Sequence, residues 1–312
     1  MALQIKKRTL DCLMAQAGQS FTAREIAHWI FAHFPKECAA KKAASNKLQS
    51  DEQLLTQLAA EIAAGRPAWQ EKHPQLKTTE ERPRHYYWSE LDAATEVEVA
   101  EAPASSAASD TARQLAECDL YPMIMDYLRA EQDVYAMRID EKRSSNKSGS
   151  GANEWLHPDM VGLEDLSSDW GRPLRDCVKV MAEQCLRLWS FEAKLLLNRS
   201  NARKSYFQAV SNSSWAHMGY LVAARIEGDG TLKELRMLAA THGIGVMLLD
   251  TETPTESQII IPARERQQID WEMCNRLAEE NPDFVEFLAR VRRFHQTREI
   301  NRNDWAKPSY EV

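Results

Sequence analysis

Residues 188–197 read Leu-Trp-Ser-Phe-Glu-Ala-Lys-Leu-Leu-Leu, and residues 157–162, 33 positions before Glu192 at Asp159, read His-Pro-Asp-Met-Val-Gly. The later run is apolar apart from its centre and predicts a strand. Side chains two apart on a strand share a face, so Glu192 and Lys194 point one way and Ala193 the other. An acid and a lysine in an apolar strand are costly to bury unless something pairs them. A divalent metal would satisfy Asp159 and Glu192 together, with Lys194 beside it to orient or activate a water.

On either side of that run, helical and apolar extended stretches alternate. Helices are expected at 115–130, 173–186, 200–211 and 232–242, with a helical end at 271–297. Strands are expected at 134–139, 154–162, 188–197, 219–224 and 244–249, with a polar loop at 140–153. This alternation predicts an α/β (α+β) domain with a mixed sheet covered on both faces.

The N-terminal segment has a different plan. A first amphipathic helix carries Leu3, Leu10, Leu13 and Met14. Thr22 with Glu25 makes a capping-box pattern for a second helix, with Ile26, Trp29, Ile30 and Phe34 at helical spacing. A third helix is expected at 50–64, capped by Ser50 or Asp51. Gln75–Thr78 and His85–Trp88 then form two short strands around the charged tip Glu80-Glu81-Arg82-Pro83-Arg84. Between the two parts, residues 89–113 are rich in Ala, Ser and Glu and hold no aromatic residue. They read as a flexible linker. The expected domains are therefore 1–88 and 114–312.

The chain has 312 residues, 44% hydrophobic and 27% charged, ordinary values for a soluble globular protein of two domains. The N-terminus has no apolar signal region and no stretch is apolar enough to span a membrane, so a cytoplasmic protein is expected. The six cysteines show no C-x-x-C pair and read as reduced thiols without disulfide partners. The net charge of −7 argues against nucleic acid at first sight, but its distribution softens that. Residues 1–88 hold 13 Lys/Arg against nine Asp/Glu, residues 89–110 hold six acids and no base, and residues 194–206 hold four bases and no acid. A local basic surface can still bind DNA.

Pro158-Asp159 followed by Glu192-Ala193-Lys194 resembles the PD-(D/E)XK nuclease superfamily, with the restriction-endonuclease-like fold. Three helices and a hairpin, with Ser20-Phe21-Thr22-x-x-Glu25-Ile26-x-x-Trp29-Ile30, resemble the HARE-type winged helix-turn-helix. Together with the run Tyr206–Trp215, the chain resembles HrgA-like bacterial proteins, which join these two parts; the likeness spans all but the linker. It implies a metal-dependent DNA endonuclease of restriction or phage defence, with the winged helix as DNA reader. It further implies Mg²⁺ or Mn²⁺ held by Asp159, Glu192 and the Ala193 carbonyl, with Lys194 positioning the water or the phosphate. Glu117, on the helix before the first strand, would add a further carboxylate, and Gln208 would support Lys194 or the water. Cutting both strands suits two active sites, hence a homodimer. One departure is the helix expected between Asp159 and Glu192, where simple members have a tight hairpin.

Lys41, Lys42, Lys47, Arg82 and Arg84 are candidate phosphate contacts in the first domain. Lys142, Arg143 and Lys147, on a Ser/Gly-rich loop near Gly149 and Gly151, and Arg199, Arg203 and Lys204 are candidates in the second. A solvated face explains the five of the first domain equally well, and the 142–151 loop reads as one that follows the DNA backbone. Asp159 also reads as a turn residue after proline, Glu192 with Lys194 as an ion pair on an edge strand, and Glu117 as an exposed helix acid. Asn212 and Trp215 fit either packing or DNA contact, and His217 and His242 read as structural. Two rival functions remain: a non-catalytic DNA-binding or regulatory scaffold, and a winged-helix module that binds a protein partner.

Overall fold

A computed structural model of the chain describes residues 3–45, 48–80, 82–102, 115–146, 155–181 and 184–306. Two compact units are present, Met1–Glu96 with Ile226–Leu232, and Val97–Arg225 with Lys233–Val312.

The first unit contains α1 (Ile5–Ala15), β1 (Phe21–Thr22), α2 (Ala23–His33), α3 (Pro35–Ala43), α4 (Asp51–Lys72), β2 (Leu76–Thr78) and β3 (His85–Trp88). Thr22 caps α2 reciprocally with Glu25, and Ser50 caps α4 with Gln53, which satisfies amide donors at both helix starts. Leu13, Ile26, Ile30, Leu54, Leu58 and Ile62 are fully buried together, whereas Met14, expected on the apolar face, is 47% exposed. The three strands run antiparallel in the order β1-β3-β2. α4 continues past its expected end at residue 64. Gly65 is no stop signal there: the ring of Trp69 lies where a Cβ would be. The turn 226–232 belongs to this unit through Glu80 N–H to Ile226 O (2.9 Å) and the pairing of Asp229 with Arg66 (2.8 Å) and Arg84 (3.1 Å).

Part of the expected linker is ordered. Residues 93–101 form α5 (Ala93–Glu101), whose start is capped by Asp92 Oδ1 accepting from the Ala94 and Thr95 amides. Glu96 is buried beside Lys77 at 2.6 Å. The remainder of that stretch, 103–113, lies outside the described residues.

The second unit is mixed α/β. It contains α6 (Glu117–Glu131), β4 (Val134–Arg138), β5 (Met160–Asp165), α7 (Arg172–Met181), β6 (Leu186–Leu197), α8 (Ala202–Ser211), β7 (Met218–Ile226) up to Arg225, α9 (Asp229–His242) from Lys233 on, β8 (Gly245–Leu248), β9 (Gln258–Ile261), α10 (Trp271–Glu280) and α11 (Pro282–Thr297). Six strands form one mixed sheet, β4-β5-β6-β7-β8-β9. β5 is antiparallel to both β4 and β6, β7 and β8 are parallel across α9, and β9 returns antiparallel. On one face, Leu120, Ile124, Tyr127 and Leu128 of α6 pack against Trp189, Phe191, Ala193 and Tyr220. On the other, Leu186 and Leu188 share a core with Trp215, Phe284, Phe287 and Phe294. β6 thus feeds both cores by simple alternation.

Several boundaries differ from the sequence expectation. The second strand starts at Met160, because residues 155–159 form the turn that delivers Asp159. α7 stops at Met181, and Leu186, expected as helix, opens β6. The C-terminal helix is split at Asn281, whose side chain accepts from the Asp283 amide and so starts a new helix. β9, α3 and β1 were not expected. The helix between Asp159 and Glu192 is α7, and β5 and β6 still pair directly, with Met160 opposite Phe191.

Candidate active site

The Asp159 N–H donates to Phe191 O at 3.1 Å, and the Ala193 N–H donates back to Asp159 Oδ2 at 2.7 Å. The carboxylate of the Pro158-Asp159 turn is therefore held against the middle of β6. Glu192 and Lys194 lie on one face, with Nζ 2.8 Å from Oε1, while Ala193 packs into the core of the other face. β6 is an interior strand and Glu192 is 1% exposed, so this is no edge-strand surface pair.

Two further elements converge here. From α6, Glu117 Oε2 lies 3.5 Å from Lys194 Nζ, and the Tyr121 hydroxyl lies 3.4 Å from Asp159 Oδ1 and 3.5 Å from Glu117 Oε1. From α8, Gln208 Nε2 donates to Glu192 Oε1, and Asn212 Nδ2 donates to Glu192 Oε2 at 3.1 Å and to His157 O at 2.9 Å. The five expected site residues Asp159, Glu192, Lys194, Glu117 and Gln208 are thus brought together. Tyr121 was missed because its position fits the apolar face of α6. Asn212 is 1% exposed and lies at the site, which removes direct DNA contact; Trp215 is fully buried against Phe284 and Phe287. Arg138, on β4 opposite Met160, was also missed; its guanidinium stands 5.0 Å from the Tyr121 ring centre.

Three carboxylates around one ammonium set the electrostatics. Burial, with the Asp159 charge added, pushes Glu192 well above the usual carboxylate range. Burial pushes Glu117 up to about 7, Asp159 adding to the effect and Lys194 opposing it. Burial also works against the Lys194 ammonium, but Glu192, Asp159 and Glu117 outweigh it and hold its pKa well above the usual lysine value. Burial and the two nearby carboxylates keep Tyr121 a neutral phenol.

The donor set is oxygen only, which suits a hard cation. Among the described residues no group of three or more His, Cys, Asp or Glu side chains is gathered in a way that could hold a metal ion. A pair of carboxylates still fits Mg²⁺, which is ordinarily held by one or two carboxylates and keeps several waters. Asp159, Glu192 and the Ala193 carbonyl are the groups on this face that would hold it.

Five of the basic candidates have ion-pair partners within the protein. Lys41 pairs with Glu61 (2.9 Å), Lys42 with Asp51 (2.7 Å), Arg84 with Glu80 (2.9 Å), Arg143 with Asp283 and Arg203 with Glu234. Arg82, Lys142 and Arg199 are exposed, as are Arg143, Arg203 and Lys204. Lys47, Lys147, Gly149 and Gly151 lie outside the described residues. His217 is structural, its Nδ1 accepting from the Leu188 amide at 2.9 Å. The six cysteines are free thiols, and among the described residues no helix is long and apolar enough to cross a membrane. Comparison with family models, curated proteins and solved structures gives no match for this chain.

Proposed function

We propose that the chain is a divalent-cation-dependent endonuclease that hydrolyses phosphodiester bonds in DNA. The observation that carries this reading is the Lys194 ammonium 2.8 Å from the buried Glu192, beside an Asp159 carboxylate anchored on the Ala193 amide. When bound, Mg²⁺ or Mn²⁺ supplies Lewis-acid polarisation of the phosphate and a more acidic water. The chain's own residues do the rest. Asp159 and Glu192 would hold the cation, with the carbonyl of Ala193, the residue after Glu192, as a further ligand. Lys194 keeps its charge among three carboxylates and is placed to orient the water or the phosphate. Glu117 supplies a further carboxylate next to Lys194, and Gln208 fixes one Glu192 oxygen.

In the first unit, α1, α2 and α4 with the hairpin β2–β3 support a winged-helix reading. Its DNA contacts begin at the exposed Arg82 of the hairpin tip. A homodimer and a cytoplasmic location accompany the endonuclease reading, and the setting of restriction or phage defence rests on the family resemblance. One observation favours the scaffold alternative: Lys194, Gln208 and Asn212 already occupy both oxygens of Glu192.

Incubation of the purified protein with methylated and unmethylated plasmid in Mg²⁺, Mn²⁺ or EDTA tests the proposal. Cleavage that requires the cation is expected. Cleavage that persists in EDTA rules out the mechanism, and DNA binding without cleavage of either plasmid favours the scaffold.

A further inference from the structure

Asn212 follows the last residue of α8 and is clamped from both sides of its backbone. Its N–H donates to Gln208 O at 2.9 Å, and its carbonyl accepts from Ser190 Oγ at 3.0 Å and Trp215 Nε1 at 2.9 Å. With the main chain so fixed, the side chain is held by the hydrogen bonds of its own amide. The two hydrogens on Nδ2 go to two different structures: His157 O, on the turn that carries Asp159, and Glu192 Oε2, on β6. One nitrogen therefore lies within 3.1 Å of both chain segments that present the two candidate cation ligands.

Burial excludes this side chain from touching substrate, since Asn212 is 1% exposed. Gln208 does not duplicate it, because Gln208 reaches only the other oxygen of Glu192. The His157 ring continues the same chain of contacts, its Nε2 lying 2.9 Å from Ser144 Oγ. We infer that Asn212 is a positioning residue that sets the separation of Asp159 and Glu192, and through it the affinity for the divalent cation. This rests on the endonuclease reading above. Only a side chain with two donors on one atom meets both demands; a carboxylate at this position would face Glu192 with the wrong charge.

Two measurements on the full chain test it: Mn²⁺ titration by electron paramagnetic resonance, and amide exchange of the peptide spanning residues 156–161. Wild type, Asn212→Ser and Glu192→Gln are compared, with thermal melts in EDTA as the folding control. Glu192→Gln should abolish tight Mn²⁺ binding. Asn212→Ser should weaken it by about 10- to 100-fold, the usual effect of losing an outer-shell partner, while the melt stays cooperative. Exchange in the peptide should speed up, as the turn loses its tie. If Asn212→Ser does not fold, Asn212→Asp keeps the volume with at most one donor, and its exchange gives the same answer. Mn²⁺ affinity lost in Glu192→Gln but retained in Asn212→Ser overturns this inference alone. A wild-type chain that binds no Mn²⁺, or binds it equally well as Glu192→Gln, overturns the endonuclease reading and this inference with it.

Discussion

Asp159 is tied to the residue that separates Glu192 from Lys194: its carboxylate accepts the Ala193 N–H at 2.7 Å. A single backbone amide thereby ties the acid just before β5 to the strand that carries the acid and the lysine. The carboxylate is oriented before any ligand arrives, which is the preorganisation a cation site requires.

The first prediction concerns unequal roles in stability. Lys194 is the one ammonium among three carboxylates, and it is 11% exposed beside a Glu192 side chain at 1%. Lys194→Ala strands a buried carboxylate and should cost about 3 kcal/mol in urea unfolding. Glu192→Gln leaves Lys194 with Glu117 and Asp159 and should cost under about 1 kcal/mol. Both variants, and Asp159→Asn, should lose cleavage while retaining DNA binding. Equal stability losses for Lys194→Ala and Glu192→Gln would contradict the charge arrangement.

A pH dependence follows from the first unit. Burial raises Glu227 to about 7, helped by the hydrogen bond and charge of Glu96; burial also raises Glu80 to about 7, helped by Asp229. A raised carboxyl binds its proton more tightly in the folded state. Its stabilisation is fully present below the ordinary value of 4.5 and is lost as pH rises through 7. The unfolding free energy from urea titration at pH 5.5 should therefore exceed that at pH 8, by on the order of 1–3 kcal/mol per group. In Glu227→Gln the slope should flatten. A midpoint independent of pH in wild type would show that these carboxyls are already ionised.

Cleavage should show its own pH dependence through Glu117, which ionises at about 7. The rate should climb across neutrality as this carboxylate forms next to Lys194. Glu117→Gln, assayed from pH 6 to pH 9, should remain at the low-pH level; an unaltered profile would remove Glu117 from the site chemistry.

The two arginines of the β2–β3 tip should separate. Arg82 is exposed, whereas Arg84 is held by Glu80 at 2.9 Å and Asp229 at 3.1 Å. Arg82→Ala should lower the salt slope of DNA binding by about 1 with no loss of stability, as for a phosphate contact. Arg84→Ala should instead lower the melting temperature, with the slope unchanged. The opposite assignment would place Arg84 on the DNA and refute the pairing.

Gly162 lies on β5 with no room for a side chain. A Cβ there would stand 2.8 Å from Val134 Cγ1 and 3.2 Å from Phe191. Gly162→Ala should cost about 1–3 kcal/mol, the range for overpacking a filled core. A melt unchanged from wild type would mean that β4 and β6 yield around it.

Glu192, Lys194 and the Thr22 cap were legible because their geometry is local: a two-residue strand period and a three-residue capping reach. Tyr121 and Arg138 were not, nor was the bond of Asn212 to Glu192, since α6, α8 and β4 meet the site only across the folded sheet. Their own spacing fits core, helix end and strand end equally well. α5 was hidden for another reason. Its sequence has the composition of a linker, and it is held by an Asp92 cap and by Lys77, a partner 19 positions before Glu96. The break at Asn281-Pro282 was visible as letters, but helical periodicity runs through it and masked the new cap.

The spatial order of the large sheet, β4-β5-β6-β7-β8-β9, is also the order of synthesis. On a ribosome, each strand finds its neighbour already made, and none must wait exposed for a partner encoded much later. By the time Asn212 leaves the exit tunnel, every residue of the acidic cluster has emerged. The aromatic cover from Phe284, Phe287 and Phe294 arrives last, so the face that receives it is the one a nascent chain must shield longest.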